Sequence, residues 1–191
     1  MKHDLASLKA ALATVPAVKI KTKLTRLVPQ LDLGTSPDWL FTSGKPNRYN
    51  PAGVNCVYFA ELREVAQVEY DAYWKGTGRG NQPVTTYYGE VVLDRVLDLT
   101  DLTTLKALKV EAKDLLKNWR RAKKSTLTQL LGQSVNETGL FSAIRYPSKA
   151  AALSSKAGAN IVIFRDCVRA PDSVRILGPT NAPLHVWPLT R

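Results

Sequence analysis

The sequence is poor in the residues that build extracellular frameworks and metal centres. It holds two cysteines, Cys56 and Cys167, which cannot make a disulfide framework. Its two histidines, His3 and His185, lie near the two ends of the chain. A zinc site takes about four ligands at ordered spacing, so no metal is expected. A His-dependent triad and a His acid/base pair are short of parts for the same reason. Long apolar runs are also missing. The longest stretch free of Asp, Glu, Lys and Arg, residues 176–190, contains Pro179, Pro183 and Pro188 and is too short to cross a bilayer. The opening residues carry Asp4 and Lys9 where a signal peptide requires an unbroken apolar stretch. A soluble, cytoplasmic protein with reduced thiols and no membrane association is the expectation.

Acidic residues are the other shortage. Asp and Glu number 16 against 27 Lys and Arg, a net charge of +11. Such an excess favours an anionic partner, whether nucleic acid, a phosphorylated small molecule or an acidic protein, without choosing among them. What is present is otherwise ordinary: 191 residues, 45% apolar and 23% charged, read as one globular domain over residues 1–191. No internal repeat or compositional break marks a second one. The glycine-rich Lys75-Gly76-Thr77-Gly78-Arg79-Gly80 lacks the G-K-[ST] ending of a P-loop and the context of a dinucleotide fingerprint, so it reads as a loop.

Periodicity organises the chain. Leu5, Leu8, Leu12 and Val15 after Asp4 predict a short amphipathic helix ending before Pro16. Val18 to Val28 alternates apolar positions with Lys19, Lys21 and Lys23, the pattern of a half-buried strand. Residues 29–51 read as a long loop. Cys56 to Ala60 is a short apolar strand, Glu61 to Trp74 a helix, and Val84 to Leu99 a further strand. One basic helix is predicted over about 102–122, with Trp119 its one stacking ring. A third helix is expected near Thr126 and a fourth near Ser148. The last strands are expected at 160–164 and 173–177.

Two charged residues fall on apolar faces. Arg26 shares the parity of Val18, Ile20, Leu24 and Val28, so the strand carries it inward. It is either a structural ion pair or an anion clamp. Glu69 lies between Val65 and Ala66 on the apolar stripe of its helix, and either pairs with Arg26 or faces a cavity and holds ligand hydroxyls. Tyr58 reads as a core aromatic by default. Arg48 and Tyr49 sit in a turn-rich segment with Asn50, Pro51 and Gly53, where Arg48 is either solvated or a phosphate contact. Thr126 and Gln129 have capping-box spacing, and Ser148 is a good N-cap; a helix N-terminus also accepts anions.

With those residues in view, the chain resembles the RES-domain family, the toxin half of bacterial RES–Xre toxin–antitoxin pairs. The resemblance runs from about Leu24 to Phe164. It rests on Arg48-Tyr49-Asn50-Pro51-Ala52-Gly53, then Val57-Tyr58-Phe59-Ala60, then Glu69. Arg26, residues 126–132, Tyr146-Pro147-Ser148 and residues 160–164 extend it. The family serine matches either Thr126, where some relatives carry Ser, or Ser148.

The resemblance implies an α+β, ADP-ribosyltransferase-like fold, a split mixed β core with helices around it. It also implies a toxin that cleaves the nicotinamide–ribose bond of NAD, or transfers ADP-ribose to a protein acceptor, and that a cognate Xre-type antitoxin covers. In that reading NAD is the substrate and no metal is used. Arg26, Tyr58 and Glu69 are the catalytic set, and Arg48, Tyr49, Asn50, Thr126, Gln129 and Ser148 bind the dinucleotide. The alternative is a non-enzymatic nucleic-acid-binding protein acting through the basic helix 102–124, with direct nucleic-acid contact the disfavoured reading.

Overall fold

A computed structural model describes residues 4–30, 44–75, 83–120, 122–154 and 158–188. The glycine loop at 76–80 and most of the predicted loop at 31–43 lie outside the described residues. Helix α1, Leu5–Leu12, starts on a capping box in which the Asp4 carboxylate accepts from the Ser7 N–H at 2.7 Å. Strand β1, Val18–Pro29, then points Lys19, Lys21 and Lys23 to solvent and Leu24 and Val28 into the core, as its alternation requires. Strand β2, Cys56–Ala60, leads into helix α2, Arg63–Trp74, and strand β3, Val84–Asp98, follows.

The predicted basic helix over 102–122 does not form as one unit. Helix α3, Leu102–Ala107, and helix α4, Ala112–Leu115, are separated by a turn at Lys109, whose φ is 55°. The Val110 N–H bonds the Leu105 carbonyl at 2.9 Å and the Lys109 N–H bonds that of Lys106 at 3.0 Å, the paired bonds of a Schellman stop. Leu105 and Val110 are both buried in one core, so burying Val110 outweighs the cost of a left-handed lysine. The glycine that normally signals such a stop is missing, which is why periodicity ran through it. The nucleic-acid alternative thereby loses the continuous basic helix on which it rested.

Helix α5, Leu127–Thr138, begins at Thr126 with the predicted capping box. Strand β4, Ala143–Pro147, helix α6, Lys149–Leu153, strand β5, Ala159–Phe164, strand β6, Ser173–Leu177, and strand β7, Pro183–Trp187, complete the chain. The sequence reading did not anticipate β4 or β7, each five residues long and bounded by proline.

The seven strands form one mixed sheet in the order β1-β2-β5-β4-β3-β6-β7, and β1 also pairs with β3, so the first five close into a ring. Only β3 and β4 run parallel; the other pairs are antiparallel. This is the α+β class expected. Closure is uneven: β1 and β3 pair from Val18↔Val96 to Pro29↔Val84, whereas β1 and β2 meet only at Thr25↔Ala60. Two cores sit on either side of the sheet. One contains only strand residues, among them Leu24, Phe59, Leu93, Ile161 and Trp187. The other packs α1, α3, α4 and α5 against Cys56, Ile144, Val162 and Phe164. A small cluster of Ala60, Val65, Ala66 and Ala151, with Leu27 against it, seats α2 and α6 beside the weak β1–β2 seam.

Candidate active site

A cavity of about 700 Å³ opens at that seam. The end of β1, the end of β2, helix α2, the turn around Arg48, residues 118–120 and the start of α6 line it. A pocket arises there because β1 and β2 cease to pair beyond Thr25↔Ala60, and helices rather than a ladder close the gap.

Arg26 stands where the pairing stops. Its Nη1 donates to the Tyr58 carbonyl at 3.2 Å, and it forms no ion pair with a described carboxylate. Burial pulls its pKa down from the ordinary arginine value, and no described carboxylate answers its charge; a guanidinium stays protonated in proteins. A desolvated cation beside an open cavity is a receptor for an anion.

Glu69 lines the same cavity from α2. Its Oε1 accepts from Ser148 Oγ at 2.7 Å and from Asn160 Nδ2 at 2.8 Å, while Oε2 accepts no hydrogen bond from a described residue. One oxygen is fixed, and among the described residues nothing occupies the other. The two readings of Ser148 therefore merge: its Oγ accepts the Ala151 N–H at 3.0 Å as the N-cap of α6 and donates its own proton to Glu69. The hydroxyl that reaches Glu69 belongs to Ser148; Thr126 stays in its capping box.

Tyr58 presents its ring to the cavity but commits its hydroxyl elsewhere. The OH donates to Asn50 Oδ1 at 2.8 Å and accepts the Tyr49 N–H at 3.0 Å. Burial holds its phenol well above the ordinary value, so it remains a neutral donor. Asn50, fully buried, also donates through Nδ2 to the carbonyls of Lys45, Pro51 and Val54. Gln129 Nε2 reaches the Asn47 carbonyl at 3.0 Å. Tyr49, Asn50, Thr126 and Gln129 thus do not reach the cavity wall; Tyr49, Asn50 and Gln129 hold the turn that carries Arg48, and Thr126 caps the helix that carries Gln129. Gly132 of α5 completes that seat. A Cβ there would lie 1.5 Å from the Tyr49 carbonyl oxygen, so only glycine lets the turn come so close.

Arg48 does line the cavity, and its Nη1 donates to the carbonyls of Leu115 at 3.0 Å and Lys117 at 3.2 Å. It ties residues 115–117 to the site and thereby sets where residues 118–120 lie.

The sequence reading missed two site residues as such. Asn160 is the second anchor of Glu69. Tyr146 lines the cavity with its hydroxyl bonded to no described residue, its ring 4.4 Å from that of Tyr49. Burial, and then the neighbouring Glu69 charge, hold its phenol well above the ordinary value. Both lie in segments that the family comparison had already marked, which was the available signal. Among the described residues no group of His, Cys, Asp and Glu is placed to hold a metal, and no helix is long and apolar enough to cross a membrane.

The family model of the RES domain matches residues 24–189, which span every element of this site. The chain belongs to the RES domain family. Its RES domain is similar in fold to a chain of the crystal structure of the M. tuberculosis MbcT–MbcA toxin–antitoxin complex. The TM-score is 0.64 at 14% identity, covering 92% of this chain and 93% of that one. No curated protein matches the sequence.

Proposed function

We propose that this RES domain is the toxin of a toxin–antitoxin pair and that it cleaves the nicotinamide–ribose bond of NAD. The observation that carries the reading is the pairing of charges across one hollow: a guanidinium at Arg26 that no described carboxylate answers, and a carboxylate at Glu69 with one oxygen tethered and the other accepting from no described residue. NAD needs both signs, because its pyrophosphate is anionic while positive charge spreads over the ribose as the bond breaks.

In this mechanism Arg26, with the remaining guanidinium nitrogens of Arg48, holds the pyrophosphate. The second oxygen of Glu69 accepts ribose hydroxyls and stabilises the oxocarbenium-like transition state. The C1′–N bond breaks, its electron pair leaves with neutral nicotinamide, and C1′ bonds to an acceptor that gives up a proton to solvent. Water, inorganic phosphate or a protein side chain fits that role. The Tyr58 ring and the Tyr146 hydroxyl contact the nicotinamide riboside. The protein acts in the cytoplasm, and a cognate Xre-type antitoxin covering the cavity mouth silences it. The toxin–antitoxin origin of the neighbouring structure supports that last step.

The test is incubation of purified protein with NAD and identification of products. Free nicotinamide is expected, together with ADP-ribose, a phosphorylated ADP-ribose or labelled protein according to the acceptor. Glu69→Gln and Arg26→Ala are each expected to leave the fold intact and abolish NAD loss. Unchanged NAD consumption by either folded variant rejects the assignment.

A further inference from the structure

The cavity has a second kind of wall that the charge pair does not use. At its exposed rim the Arg120 guanidinium lies 4.8 Å from the ring centre of Tyr73 on α2 and 5.1 Å from that of Trp119. Trp74 meets Tyr73 edge-on at 4.7 Å. All four line the cavity, and Tyr73 is 53% exposed, an unusual outlay of aromatic surface. Trp119 is held here by the Arg48 bonds to Leu115 and Lys117, not by a helix. Aromatic rings with a delocalised cation stacked over them suit a flat heterocycle, which stacks on rings and guanidinium alike.

We infer that the cluster of Tyr73, Arg120 and Trp119 is a stacking site for a purine base, the adenine end of the dinucleotide, and that it makes the protein select dinucleotides over mononucleotides. This rests on the proposed NAD reading for what fills the inner end of the cavity. The inner wall of Glu69, Asn160 and Tyr146, with Ser148 behind it on the Glu69 carboxylate, is polar and would meet one ribose with its base. A cavity of about 700 Å³ continues past it to the rim, where the rings begin.

The experiment has two arms. In the first, KM and kcat are measured for NAD and for nicotinamide mononucleotide, which lacks adenine. Trp119→Leu is expected to raise the KM for NAD about tenfold or more, the scale of one lost base–ring stack. It is expected to leave kcat for NAD and both constants for the mononucleotide unchanged. Trp119→Phe, which keeps a ring, is expected to restore the KM for NAD to within about threefold. An unchanged NAD KM in folded Trp119→Leu overturns the inference.

The second arm needs no turnover. AMP, which has no nicotinamide bond, is expected to quench tryptophan fluorescence saturably in the unmodified protein and to lose that quench in Trp119→Leu. Absence of AMP binding, or equal binding in both proteins by calorimetry, overturns the inference. Failure of the unmodified protein to cleave either substrate defeats the NAD-cleavage reading instead, and the AMP arm still decides the rim.

Discussion

Two arrangements of charge in this molecule use the same residue types to opposite ends. At Arg95 and Arg145 every charge is answered. Arg95 donates to Asp172 at 2.7 Å and to the carbonyls of Gly139 and Cys167 at 2.8 Å, and the Asp172 side chain is fully buried. Arg145 forks onto Glu61 at 2.6 and 3.0 Å and reaches Asp98 at 3.1 Å, and those partners raise its pKa. Neither cluster lines the cavity. At Arg26 and Glu69 the opposite holds: the charges share a hollow and do not meet. A closed cluster fastens elements together, here the end of α5 to the turn before β6, and has nothing left to offer a ligand. An open one leaves its electrostatic energy unspent until a ligand of both signs arrives.

The largest expected effect comes from breaking a closed cluster. Asp172→Ala strands Arg95 and frees the Asp94 N–H, which donates to Asp172 at 2.6 Å. Removing one partner of a buried pair costs about 3–5 kcal/mol. Chemical denaturation is expected to show that loss, with NAD cleavage per folded molecule unchanged. A loss below about 1 kcal/mol would mean that the cluster is not a fastening.

The open cluster should behave in reverse. Glu69→Gln is expected to cost transition-state stabilisation on the order of 3 kcal/mol, a hundredfold or more in rate. Its folding stability should change little, since the amide oxygen still accepts from Ser148 and Asn160. Steady-state kinetics and denaturation on the same preparation separate the two. A rate loss matched by an equal stability loss would place Glu69 among the fastenings.

Ser148→Ala sharpens the comparison because this hydroxyl serves both purposes. Loss of the N-cap bond to Ala151 is expected to cost about 1 kcal/mol in stability. Loss of the tether on Glu69 is expected to lower kcat roughly tenfold with little change in KM. Ser148→Thr, which keeps the hydroxyl, should recover most of both.

The contrast between these clusters explains what was legible in the sequence. Arg26 and Glu69 stood out because strand parity and helical angle turned charges toward apolar faces, and periodicity reports direction. It cannot report pairing, since the carboxylate partners of Arg95 and Arg145 lie 47, 77 and 84 residues away along the chain. The caps at Thr126 and Ser148 were readable from local spacing, and so was the strand that carries Tyr58. The stop at Lys109 was not, because burial of Val110 supplied what a glycine would have advertised. Tyr49, Asn50 and Gln129 were expected at the ligand; the structure spends them on the turn, a distinction that only the Tyr58–Asn50 and Gln129–Asn47 bonds reveal.

Tyr146→Phe is the smallest and most discriminating change. The hydroxyl has no partner among the described residues and lies in the cavity wall, so its removal is expected to leave folding at neutral pH within about 0.5 kcal/mol. Binding of NAD should weaken about fivefold, the worth of one hydrogen bond. The pH dependence has a definite sign. Burial raises the phenol of Tyr146 in the folded state, so above about pH 10 the unfolded chain releases a proton that the folded one keeps, and stability falls as pH rises. Tyr58, raised in the same way, adds to that fall. Replacing Tyr146 by Phe removes one contributor and is expected to move the alkaline unfolding midpoint upward, read by circular dichroism against tyrosinate absorbance. A neutral-pH loss above about 2 kcal/mol would instead show a satisfied core hydroxyl and remove Tyr146 from the ligand's reach.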